Sequence, residues 1–87
     1  MNNYTKLLTQ KDISPLAKLI LLDICEFPSI LTYNKTSQEI ALSLGVKRKA
    51  VLNELEILIE MGLITCKVEP RLRTTKITKI VKDLIND

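Results

Sequence analysis

The stretch TSQEIALSLGVKRKAVLNELEILIEMGLI, residues 36–64, decides the reading of this chain. Thr36 with Glu39 three positions on is a capping-box pattern and opens a short helix. The apolar side of that helix is Ile40, Ala41 and Leu44, and Gly45 is placed to close it in the left-handed region. Val46 reads as a small apolar plug. A longer helix follows over 47–61, with Val51, Leu55 and Leu58 on one face at i, i+4 and i+7, and Gly62 ends it. Its first turn carries Lys47, Arg48 and Lys49, although a helix N-terminus bears partial positive charge and prefers anions.

Working outward, Ser14-Pro15 is a helix start, serine as N-cap and proline at the first helical position. The run LAKLILLDICEF follows, and Pro28 stops it. It is apolar nearly all round, broken by Lys18, Asp23 and Glu26, so it is expected to bury more than one side. Two coverings suit Leu19 and Leu22: a second copy of the chain, or, for Leu22, an N-terminal arm of residues 1–12. Residues 29–35, SILTYNK, read as a short extended connection. After Gly62, residues 63–68 alternate as a strand, 69–73 form a turn and 74–78 return as a basic strand. Ile80, Val81, Leu84 and Ile85 then take helical spacing behind Thr78 as an N-cap.

Eighty-seven residues make one small domain, read as residues 13–87 behind the arm. With 46% apolar but only 3% aromatic residues, its core is built from Leu, Ile and Val. The net charge of +3 is unevenly spread. Lys47–Lys49 form one basic block, and Lys67, Arg71, Arg73, Lys76, Lys79 and Lys82, against Glu69 alone, form another. A fold that joined them would make one cationic patch. There is no histidine, no glycine-rich phosphate loop and no acidic cluster, so catalysis is a poor fit and no cofactor or metal is expected. Cys25 and Cys66 are neither a disulfide framework nor at metal-ligand spacing, and read as packing residues. No run suits a membrane span, and MNNYTKLLTQ lacks the apolar stretch of a signal peptide, which makes a reducing, cytoplasmic setting the expectation.

A short helix, a turn with glycine and a longer helix have helix-turn-helix spacing. With the following basic hairpin, SQEIALSLGVKRKAVLNELEILIEMGLI resembles the bacterial winged helix-turn-helix domains. Ala41, Gly45, Val46, Val51, Leu55, Leu58, Gly62, Leu63 and Ile64 all fall in that pattern's register. ISPLAKLILLDI is similar to the first helix of the branch seen in plasmid and phage replication or accessory proteins and small regulators, and LRTTKITKIVKDLI to its second wing strand and last helix. The resemblance spans residues 13–85. It implies a mainly α (α+β) fold: a three-helix core, a C-terminal β-hairpin wing and a short terminal helix. It also implies binding to double-stranded DNA.

On that reading the missing anion at Lys47 belongs to a partner. The family usually has serine or threonine there as a cap worth about 1 kcal/mol, and lysine cannot accept a backbone N–H. Phosphate can take the free N–H groups and pair with Lys47 and Arg48 together. Lys49 and Asn53 lie one turn apart on the solvent strip with Glu56 and Glu60, where a recognition helix meets base edges; Asn53 suits adenine. Glu56 lies outside the groove, accepts from a cytosine, or turns non-specific DNA away. Arg71, Arg73 and Lys76 sit at or beside the wing tip, suited to a flanking minor groove or backbone. Thr36 and Ser37 offer hydroxyls to phosphate, although capping alone accounts for them. The bland alternatives are solubilising surface cations and a hairpin edge guarded against aggregation.

Leu52, Ile57, Ile59 and Met61 occupy usually polar positions, leaving surplus apolar surface for the terminal helix or for a partner. Leu19, Leu22, Leu52, Ile59 and Met61 are thus the expected dimer or partner surface. A homodimer presenting two recognition helices is the expectation, as a transcriptional regulator or a DNA-binding adaptor for replication or segregation of a mobile element. A winged-helix protein-interaction module without DNA binding is the rival, and no small-molecule ligand is evident.

Overall fold

The computed structural model describes residues 4–27, 33–69 and 72–85. Along the chain run α1 (Thr5–Leu8), α2 (Pro15–Glu26), α3 (Ser37–Leu44), α4 (Arg48–Glu60), β1 (Ile64–Glu69), β2 (Leu72–Ile77) and α5 (Lys79–Ile85). The result is a small α+β domain in which, among the described residues, α2, α4 and α5 pack on one antiparallel hairpin, with α3 against α4 and α1 against α5.

Local chemistry sets the helix boundaries. Ser14 Oγ accepts from the Ala17 N–H at 3.1 Å, and Pro15 takes the first position of α2. At α3 the capping box is complete: Thr36 Oγ1 accepts from the Glu39 N–H at 3.1 Å, and Glu39 Oε1 accepts from the Thr36 N–H at 3.2 Å. Gly45 closes α3 with φ 69°, and a Cβ built there would touch nothing within 4 Å. The need for glycine at 45 is therefore conformational rather than steric. Gly62, at φ 73°, turns the chain from α4 into the hairpin.

The core is aliphatic, as the composition requires. Ile20 and Leu21 of α2, Ile40 of α3, Val51 and Leu58 of α4, Ile64 of β1 and Val81 of α5 are fully buried. Truncating any of these large side chains to alanine is expected to cost about 2–5 kcal/mol. Helix α2 packs against α4 and β2 while Leu16, Leu22 and Cys25 pack on the edge of the core, so most of its apolar circumference is used within the chain. Burial, with the neighbouring Glu26 adding to it, pushes the Cys25 thiol up to about 11, which fits a packing residue.

Several elements differ from expectation. Residues 1–12, read as an arm, contain α1, which packs against α5 and inserts Leu7, fully buried, into the core. Thr5–Leu8 is helical because tertiary burial of Leu7 supports a turn too short to stand alone. Val46 is not a plug: it is 36% exposed. The strands run 64–69 and 72–77 rather than 63–68 and 74–78, so Arg73 joins the ladder opposite Val68. Thr78 precedes α5, and its carbonyl accepts from Lys82 N–H at 3.1 Å. Its hydroxyl does not cap α5; it donates to the Gly62 carbonyl at 2.6 Å and stitches the hairpin base to the end of α4.

Tyr33 is the largest departure. In the connection before α3 it is buried, its carbonyl accepts from the Thr75 N–H of β2 at 3.1 Å, and its ring meets Phe27 edge-on at 5.2 Å. Its hydroxyl donates to Asp23 at 2.5 Å, and Lys35 Nζ pairs with the same carboxylate at 3.1 Å. Burial first, and then the bond to Asp23, holds the phenol well above its ordinary range, so it is a neutral donor. Residues 28–32 of the same connection lie outside the described residues.

Candidate functional site

The expected site is centred on the start of α4. Lys47 occupies the N-cap position with φ −78° and ψ 144°, the extended geometry that Ser14 and Thr36 also adopt at their caps. Its side chain makes no cap bond, and the first turn of α4 holds no acidic residue. The Ala50 N–H turns back to the Lys47 carbonyl at 3.1 Å, while the N–H groups of Arg48 and Lys49 find no acceptor among the described residues. Lys47, Arg48 and Lys49 are all exposed, and none makes an ion pair among the described residues. Three cations and the positive end of a helix therefore reinforce one another at one place.

Arg48 is held. Its Nε donates to Ser37 Oγ at 3.2 Å, tying the first turn of α4 to the first turn of α3. Ser37 is only 4% exposed, so its hydroxyl serves this internal bond rather than an external phosphate, which corrects the expectation for that residue. Thr36 is exposed, but its hydroxyl and backbone N–H are both engaged in the capping box. Further along α4, Lys49, Asn53, Glu56 and Glu60 are exposed while Val51, Leu55 and Leu58 are buried, as the helical wheel requires.

The hairpin cations are distributed differently from expectation. Arg71 lies outside the described residues, and Arg73 is placed only by its pairing with Val68. Lys76 is opposite Thr65 in the penultimate position of β2, at the hairpin base rather than beside its tip. Strand alternation puts Lys67, which faces Thr74 across the ladder, on the same face as Lys76. That pairing depends on register, which the β-branched run 74–78 left undetermined. The hairpin springs from the C-terminal end of α4, a helix length of about 20 Å from Lys47.

Of the expected partner surface, Leu22 and Met61 pack on the core and Leu52 is half-buried, whereas Leu19 and Ile59 are exposed. Leu8, Leu42, Val46, Ile57, Val68 and Ile80 are also exposed. Among the described residues no three His, Cys, Asp or Glu side chains are grouped to hold a metal, and no helix is long and apolar enough to cross a membrane. No known family profile matches the chain, and no curated protein is significantly similar to it.

Proposed function

We propose that the protein is a winged helix-turn-helix protein that binds double-stranded DNA as a homodimer, either as a transcriptional regulator or as an adaptor for replication or segregation of a mobile element. The observation that carries this reading is the uncapped first turn of α4, with three exposed cations and no acidic partner among the described residues. Helices α3 and α4, joined by a turn at Gly45, would serve as the helix-turn-helix, and the β1–β2 hairpin as the wing. Phosphate oxygens would accept from the Arg48 and Lys49 N–H groups and pair with Lys47 and Arg48, completing the end that the chain leaves open. Lys49 and Asn53 would face base edges, with Lys76, Lys67 and the two hairpin arginines on the flanking backbone or minor groove.

Fluorescence anisotropy with a labelled random duplex across a salt series tests this reading. Native protein is expected to lose affinity steeply with salt, and Lys47→Ala/Lys49→Ala to lower the log–log slope by about two contacts. Arg48→Ala should weaken binding to all duplexes, whereas Asn53→Ala should chiefly reduce discrimination between sequences. No binding at low salt would overturn the reading and favour a protein-interaction module. The observation favouring that second reading is Leu42, 71% exposed on α3 next to the exposed Val46 turn.

A further inference from the structure

The arginine between two lysines at the start of α4 has a bond that its neighbours lack. Arg48 Nε donates to Ser37 Oγ at 3.2 Å, and these are the first residues of α4 and α3. The accepting oxygen is itself fixed. Ser37 is 4% exposed, α3 packs on α4, and the Thr36–Glu39 box sets the first turn of α3. The side chains of Lys47 and Lys49 bond to nothing among the described residues, so each keeps rotamer freedom that an external contact must remove.

Only a guanidinium suits this place. Its Nε–H and its two Nη groups lie in one plane, so a bond from Nε to a fixed oxygen restrains the direction of the remaining donors. Those Nη groups donate to nothing among the described residues, and Arg48 is exposed. A lysine that donated to Ser37 would have its one nitrogen held there and no second nitrogen to offer. We infer that Ser37 is a positioning residue: it holds Arg48 so that the Nη edge meets a backbone phosphate with its rotamer already chosen. The inference rests on the DNA-binding reading and adds to it the reason an arginine stands between two lysines. Holding the side chain in advance lowers the entropy lost on binding but leaves the number of charges unchanged. Ser37 therefore acts on affinity and not on its salt dependence.

A double-mutant cycle in the full chain, read by anisotropy on a labelled random duplex across a salt series, tests this role. Ser37→Ala is expected to weaken binding about threefold to tenfold with the log–log slope unchanged. Arg48→Ala should weaken it further and lower the slope by about one. In the Arg48→Ala background, Ser37→Ala should change affinity by less than about twofold, because no guanidinium is left to position. Arg48→Lys keeps the charge on an exposed residue and should lose about as much as Ser37→Ala; it decides the matter if circular dichroism shows Ser37→Ala unfolded. In the protein without DNA, the Arg48 Nε–H should exchange with water more slowly in the native chain than in Ser37→Ala, measured by nitrogen-15 NMR. Affinity that survives both Ser37→Ala and Arg48→Lys overturns the inference and leaves the DNA reading standing. So does an equal loss from Ser37→Ala with and without Arg48, which marks a purely structural role. Native protein that fails to bind the duplex at low salt overturns the DNA reading, and the inference falls with it.

Discussion

Helices α3 and α4 begin with the same backbone geometry and opposite electrostatics. Thr36 caps α3, and Glu39 both answers that cap and places a carboxylate over the positive helix end. Lys47 stands at the same position of α4 with no acceptor to offer, followed by Arg48 and Lys49. Extended geometry at a cap thus does not depend on a capping side chain; the turn after Gly45 imposes it. The first helix end is satisfied within the chain, whereas the second accumulates positive potential and donors. Arg48 connects the two ends through Ser37, so the open end is also a positioned one.

The comparison breaks most readily at the open end. Lys47→Ala/Lys49→Ala is expected to reduce affinity for duplex DNA by about tenfold or more at moderate salt, measured by anisotropy, because two charge-assisted contacts are lost. Unchanged affinity would show that the cations of α4 are ordinary surface charge. Next in size is Gly45→Ala, which forces a side chain into the left-handed region between the two helices; chemical denaturation should show about 1–2 kcal/mol less stability. Because the site is sterically open, a larger loss would mean that the turn itself rearranges.

Removing the closed cap by Thr36→Ala should cost about 1 kcal/mol of stability, read by the same denaturation. The smallest change is the most discriminating. Lys47→Thr is expected to raise stability by about 0.5–1 kcal/mol by supplying the missing cap, while lowering DNA affinity through loss of a cation. Movement of both quantities in the same direction would contradict the division between a satisfied and an open helix end.

Much of this architecture is legible in local chemistry. Ser14-Pro15, the Thr36–Glu39 box, Gly45 and Gly62 mark helix ends through interactions spanning four residues or fewer, and each stands where the pattern puts it. The buried stripe of Val51, Leu55 and Leu58 and the exposed strip of Lys49 and Asn53 follow from helical period alone. The uncapped cationic turn of α4 was equally readable, because it is a matter of which side chains can accept a hydrogen bond. Other features depend on partners distant in sequence. Ser37 reads as a free hydroxyl until Arg48, eleven residues on, closes over it. Thr78 looks like a cap, yet the Gly62 carbonyl sixteen residues earlier takes its proton.

The sequence by itself determined where the helices of the middle region begin and end, which faces they bury, and that one of them starts with unanswered positive charge. Those properties belong to side-chain chemistry and a repeat of 3.6 residues. Only the tertiary structure decided that Leu7 belongs to the core, that Tyr33 joins α2 to the hairpin through Asp23 and Thr75, and that Lys76 and Lys67 share a face. Each of these depends on register or on long-range burial, where free energy is gained only when segments far apart in the chain are brought into contact.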